Sequence, residues 1–192
     1  STPREALRLE VAALLQVEDG GFLQIFRDGS VLAAAGEATA ACTVPQLDVS
    51  RVCRLPFPAS STHAELAGLH LAADLLLERG DQYPGAVILT DSRPALLRLH
   101  AADQPSTSSG YAEQSLAAKL HAVASRGCDI RLHWLPAHSG VIGNEAADAL
   151  TRGAQQVQQA PVSQDVTAFD AAGIVLAHEA ETMHPDQRVV GG

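Results

Sequence analysis

Four acidic residues stand at comparable junctures of the chain: Asp28 in QIFRDGS, Glu65 in STHAELAG, Asp91 in VILTDSRP and Asp148 in GNEAADAL. Asp28 closes an apolar run, and Glu65 lies in the opening turn of a long helical segment. Asp91 closes a second apolar run, and Asp148 follows a glycine-rich loop that carries His138. Strand ends and the helix starts beside them are where open α/β sheets build their sites. Carboxylates gathered there raise one another's pKa, a conflict that a hard divalent cation relieves, with oxygen ligands favouring Mg²⁺ or Mn²⁺ over zinc. Each acid also has a plain structural reading. Asp28 before Gly29 suits a turn. Thr62-x-x-Glu65 fits a capping box. Asp91-Ser92 suits a helix cap, and Asp148 suits a solvated helix acid near Arg152 at i+4.

The surrounding elements decide whether these acids can meet. REALRLEVAALL (4–15) has helical periodicity and reads as a lead-in helix. FLQIF (22–26), a run over 31–44 that is either one strand or a strand pair with a bulge at Gly36, and LDVSRVCRL (47–55) read as three sheet-forming stretches. Leu66, Leu69, Ala73, Leu76 and Leu77 recur at helical steps within 62–80, stopped by Gly80. GAVILTDS (85–92) is a continuous apolar run, as expected of a strand buried on both faces. A short helix over 93–102, an uncharged loop over 104–110 and a helix over 111–127 follow. A strand over 128–136, the loop AHSGVIG (137–143) and a helix over 144–154 complete the pattern. The order β-β-β-α-β-α-α-β-α predicts an α/β fold, a mixed five-stranded sheet with three antiparallel strands, then parallel ones, flanked by helices. From Gln155 periodicity fades, so 155–192 is expected to be an acidic tail or linker, and 1–21 a lead-in segment, around a domain over 22–154.

Composition narrows the function classes. Of 192 residues 46% are hydrophobic, enough for a packed core, but only 4% are aromatic. Ala, Leu and Val must do most of the packing, and stacking platforms of the single-strand-binding kind are not expected. No apolar run approaches the roughly 20 residues a membrane helix needs. The opening STPREALRLE lacks the apolar segment of a signal peptide and an initiator Met, so a piece of a longer chain is expected. Cys42, Cys53 and Cys128 have no metal-ligand spacing; an odd count without a leader reads as reduced, buried thiols in an intracellular protein, nucleus and cytoplasm being undistinguished. The net charge of −9 argues against a general nucleic-acid binder. Residues 154–192 hold five acids and one arginine, leaving −5 on residues 1–153.

QIFRDGS, STHAELAGLHLAADLL, VILTDSRPAL and WLPAHSGVIGNEAADALT resemble, in order and spacing, the four successive motifs of type-one ribonuclease H domains. The likeness is greatest to those joined to reverse transcriptases of non-LTR retrotransposons and spans roughly residues 22–153, with His-Ser-Gly followed by Asn-Glu-x-x-Asp as the most specific part. This resemblance implies that Asp28, Glu65, Asp91 and Asp148 are metal-binding carboxylates of a catalytic site. It implies that His138 is a mobile-loop histidine assisting proton transfer or product release, and that Ser30 and Asn144 lie near the substrate. It further implies endonucleolytic hydrolysis of the RNA strand of an RNA–DNA hybrid, leaving 5′-phosphate and 3′-hydroxyl ends. A tethered reverse transcriptase domain within a retroelement polyprotein is expected, with the isolated domain monomeric and no membrane partner. Two Mg²⁺ ions about 4 Å apart, Mn²⁺ substituting, would clamp the attacking and leaving oxygens. They would also bring the charge on residues 1–153 to about −1.

Two departures and two rivals accompany this resemblance. The family's first motif usually has Thr before the Asp, where this chain has Arg27. Adjacent strand residues face opposite ways, so Arg27 need not touch the metals; pairing with Asp28 or contact with the hybrid's phosphates is also open to it. Some relatives carry a basic insertion, whereas ADQPSTSSGYAEQ has no Lys or Arg. A catalytically silent module of the same fold and a same-fold nuclease acting on DNA are the alternatives. His63 and His70, seven apart on one helix, lack the further ligands a zinc site requires.

Overall fold

The computed structural model describes residues 3–18, 21–32, 37–55, 58–104 and 109–157. The Gly36 bulge, most of the loop over 104–110 and the segment 158–192 lie outside them. A lead-in helix α1 (Pro3–Glu18) precedes strands β1 (Leu23–Leu32), β2 (Glu37–Val44) and β3 (Val49–Arg54). Then come α2 (Ser61–Arg79), β4 (Gly85–Thr90), α3 (Arg93–Ala102), α4 (Tyr111–Ser125), β5 (Asp129–Trp134) and α5 (Ile142–Val157). The strands form one sheet in the order β3-β2-β1-β4-β5. β1–β2 and β2–β3 are antiparallel, while β1–β4 and β4–β5 are parallel. This is the mixed, helix-flanked α/β architecture that the order of segments predicts.

Alternation along the strands explains why the sheet is covered on both faces. Ile25, Ala86 and Ile88 point into a large core shared with Leu66, Leu69, Leu75 and Leu76 of α2. Their neighbours Phe26, Val87 and Leu89 point the other way, into a smaller core with Leu135 and Val141 of the loop after β5 and Ala147 of α5. Val11 of α1 packs against that second core. The continuous apolar run of β4 is thus buried throughout, as a central parallel strand should be. Ala38, Ala40 and Cys42 line β2 with almost no exposure. These small side chains let helices approach closely where aromatics are scarce.

Three boundaries differ from the sequence expectation in ways that matter for the acids. β1 does not stop at Asp28 but runs through Asp28-Gly29-Ser30 to Leu32, pairing Asp28 with Ala41 and Ser30 with Thr39 of β2. The turn propensity of Asp-Gly is overridden by cross-strand pairing. α2 begins one residue earlier than expected and is capped by Ser60, whose Oγ accepts from the His63 backbone N–H at 3.3 Å. Thr62 therefore lies inside the helix, Glu65 is its fifth residue, and no Thr62–Glu65 capping box forms. α5 runs on to Val157, past the expected end at residue 154.

Candidate active site

The parallel ladder between β1 and β4 ends at Phe26↔Leu89. Beyond it β1 continues beside β2, while β4 stops at Thr90. Arg27 and Asp28 thus sit where β1 has lost its β4 neighbour, at the carboxyl end of β4. This is the crevice position that open α/β sheets favour for ligands.

Asp28, Glu65 and Asp91 meet there, each offering a ligand oxygen within 4.8 Å of the others. Each arrives by a different route. Asp28 lies within β1 and is 8% exposed. Glu65 is brought in by the close approach of α2 to β1: a Cβ on Gly29 would collide with the backbone of Ala64 and Glu65, and one on Gly68 would lie 2.8 Å from the Asp28 carbonyl oxygen. Asp91 follows β4, immediately before Ser92 caps α3 by accepting from the Ala95 backbone N–H at 3.3 Å. Ser92, not Asp91, supplies the cap, so the Asp91 carboxylate is spared that duty.

Asp148 is not part of this triad. Its side chain pairs with Arg152 one turn along α5, Nε reaching Oδ1 at 3.2 Å and Nη2 meeting Oδ2. It belongs to a second group with His138 and Glu145, whose ligand atoms also lie within 4.8 Å of one another. The four acids expected in a single pocket are therefore divided between two adjoining groups. Thr151 joins the two: its hydroxyl lies 2.6 Å from Asp28 Oδ2 and 2.9 Å from the Asp148 carbonyl oxygen.

The remaining expected site residues are distributed around these groups. His138 is exposed and adopts a left-handed φ of 53° in the loop before α5, a conformation histidine visits more readily than most residues. Ser30, two residues beyond Asp28 on β1, is partly exposed. Asn144 is buried near the start of α5, 4% exposed. Glu145 accepts a bond from the Gly140 backbone N–H at 3.3 Å, tying α5 to the histidine loop. His63 and His70 do structural work in α2. His63 meets Ser60 and Arg98, and His70 meets the Ala112 carbonyl oxygen and Lys119 of α4.

Arg27 departs most from expectation. It is fully buried, so it does not reach a substrate phosphate. Its guanidinium pairs with Glu65, donates to the Thr90 hydroxyl and lies 3.7 Å from Asp91. The strand alternation aims Arg27 away from Asp28, and its ion pairs are with Glu65 and Asp91 instead. The length of the side chain then carries its charge to the other two acids of the triad. Burial pulls the guanidinium down to about 10, with the Asp91 and Asp28 charges acting in the opposite sense. Burial also raises the Asp28 carboxyl above the ordinary range, opposed by its bond from Thr151 and by Arg27.

The roles of Arg27, Thr90, Thr151 and Glu145 were not read from the sequence. For Thr151 a signal existed, since it follows Asp148 by three residues and so shares its helix face. For Arg27 none did, because alternation describes Cβ directions and not the reach of a long side chain. Trp134 ends β5 beside this site. Its indole N–H donates to the Asp91 carbonyl oxygen at 3.0 Å, and Arg93 stacks 3.9 Å above its ring. The two form a partly exposed plate at the rim of the acidic site.

The sequence model of the RNase H family matches residues 22–156. The chain belongs to the RNase H family. The matched span covers all five strands and contains both acidic groups. No match to a curated protein was found. RNase H domains hydrolyse RNA in RNA–DNA hybrids and usually use divalent metals. The donor set fits such an ion. It consists of hard carboxylate oxygens from three separated segments, within mutual reach. Burial raises the pKa of one of them, on Asp28, a shift that a bound cation would offset. No described helix is long and apolar enough to cross a membrane.

Proposed function

We propose that this chain cuts the RNA strand of RNA–DNA hybrids endonucleolytically, with Asp28, Glu65 and Asp91 holding the divalent metal and Asp148 and His138 serving its flank. One observation carries this reading: three carboxylates from β1, α2 and the end of β4 converge within 4.8 Å inside the span matched by the family. Bound divalent ions, Mg²⁺ or Mn²⁺ by the hardness of the donors, would activate water and stabilise the leaving 3′-oxygen, the two-metal scheme of phosphodiester hydrolysis. The chain's own residues supply the framework. Thr151 fixes the rotamer of Asp28 and thereby orients its second oxygen. His138, exposed on a loop that Glu145 anchors, is free to approach a leaving group and hand it a proton. The Arg93–Trp134 plate offers a flat, positively charged surface to a nucleic-acid backbone beside Asp91. Ser30 reaches the substrate from the open end of β1, and Asn144 supports the contact from within α5.

The test is cleavage of an end-labelled RNA–DNA hybrid by the full chain with Mg²⁺, repeated in chelator, beside duplex RNA and duplex DNA. Hybrid-selective cutting that chelator abolishes is expected. Asp91→Asn should lower the rate by two orders of magnitude or more, corresponding to several kcal/mol of lost charge stabilisation. Cutting of duplex DNA in preference to the hybrid would assign the site to a different nuclease class.

A catalytically silent module is the second reading. It is favoured by Arg27, whose buried guanidinium already satisfies Glu65 and approaches Asp91. Absence of hybrid cleavage with both Mg²⁺ and Mn²⁺ would establish it. The wider setting, a retroelement polyprotein in which residues 1–21 lead into a catalytic domain over 22–154 and 155–192 extends from it, rests on the resemblance of the four motifs and is part of the same proposal.

A further inference from the structure

Arg27 is the one described side chain that places a full positive charge inside the acidic triad. Three observations define it. The residue is fully buried. Its guanidinium pairs with Glu65 and with Thr90, and it lies 3.7 Å from Asp91 Oδ1. Its Nε has no hydrogen-bond partner among the described residues. The side chain passes close beneath α2 at Gly68: a Cβ there would lie 3.2 Å from the Arg27 Cδ, a tight contact that glycine spares it.

A buried guanidinium is costly unless its partners compensate the lost solvation. Here the partners are the same oxygens that the metal reading assigns to a divalent ion. An ion arriving at Glu65 and Asp91 meets a fixed positive charge at its first ligands, and like charges at such distances repel strongly in a partly desolvated pocket.

We propose that Arg27 is a resident cation of the site, a positioning residue that holds Glu65 and Asp91 together when no metal is bound and competes with the metal for them. The inference rests on the divalent-ion reading above and deepens it. With Arg27 in place the triad is assembled before any ion arrives, and its affinity for that ion is reduced. Occupancy then requires the guanidinium to withdraw from at least one carboxylate.

Calorimetric titration of Mg²⁺ into the full chain tests this, comparing the wild type with Arg27→Thr, Arg27→Met and Arg27→Lys, each also melted in chelator and in Mg²⁺. Arg27→Thr and Arg27→Met should bind Mg²⁺ at least tenfold more tightly than the wild type. They should melt lower than the wild type in chelator and recover in Mg²⁺. Arg27→Lys, which keeps the charge, should bind Mg²⁺ like the wild type. A residue that merely filled space would not separate Met from Lys in this way. If the neutral variants bind Mg²⁺ no better than the wild type, the proposal is overturned while the metal site stands. If neither wild type nor variants bind Mg²⁺ or Mn²⁺, the metal reading falls with it.

A second measurement needs no folded neutral variant. The Arg27 Nε–H resonance, assigned by its absence in Arg27→Lys, should shift as Mg²⁺ saturates the wild-type chain. A resonance unmoved at saturation overturns the proposal.

Discussion

Thr151 serves both acidic groups, touching the Asp28 carboxylate and the Asp148 carbonyl from one hydroxyl. Thr151→Val keeps the shape and removes the hydroxyl, leaving the Asp28 oxygen without its bond. A buried hydrogen bond of this kind contributes on the order of 1 kcal/mol, and more when its acceptor is charged. Hybrid cleavage by Thr151→Val should fall about tenfold while urea denaturation shows a loss of about 1–2 kcal/mol. An unchanged cleavage rate would mean that Asp28 needs no such anchor. Cys42 illustrates a different kind of burial. It is fully enclosed, and desolvation pushes its thiol up to about 12 from an ordinary 9. Above pH 9 the unfolded chain ionises this thiol while the folded chain keeps it protonated, so stability falls as pH climbs from 9 toward 12. Thermal melts across that range should show the decline, and Cys42→Ala should flatten it. The buried Cys53 and Cys128 should resist thiol reagents alongside Cys42 until denaturant is added.

β1 and α2 meet with almost nothing between them, because Gly29 and Gly68 present no side chain at the contact. Gly29→Ala would drive a methyl into the Ala64–Glu65 backbone, which has no rotamer with which to yield. A cost at or beyond the usual 1–3 kcal/mol of overpacking is expected, with Glu65 displaced and Mg²⁺ binding weakened. A denaturation curve and a Mg²⁺ titration of the variant check both. Much of this arrangement could be read from the residues. The leucine spacing of α2, the unbroken apolar run of β4 and the caps near Gly80 and Ser92 locate elements to within a few positions, since periodicity reports which face is buried. Asp28 was misplaced at a strand end because Asp-Gly carries a strong local turn signal, while its pairing to Ala41 is a long-range contact that local chemistry does not encode. The division of the four acids was hidden for a similar reason. Arg152 is visible in the sequence as a candidate partner of Asp148, but which carboxylates cluster together depends on how α5 packs.

The molecule as a whole carries −9, and the segment between α3 and α4 contributes no Lys or Arg to grip a nucleic acid. Affinity for a polyanion scales with the number of phosphates neutralised, and so does its sensitivity to salt. The full chain alone should therefore bind hybrid weakly, with a shallow dependence of log affinity on log salt. Covalent linkage to a polymerase already on the hybrid would supply the missing local concentration. Fluorescence anisotropy over a salt series decides the matter: tight and steeply salt-dependent binding by the chain alone would remove the need for such a tether. The glycine seam has a consequence for how the protein can change over time. Because main chain rests on main chain where Glu65 comes over β1, the gap between the reacting groups is fixed by the thickness of two backbones. The aliphatic filling of the two cores can then drift from Leu to Ile or Val without resetting the chemistry, much as a hinge pin keeps a door true while the panels are replaced.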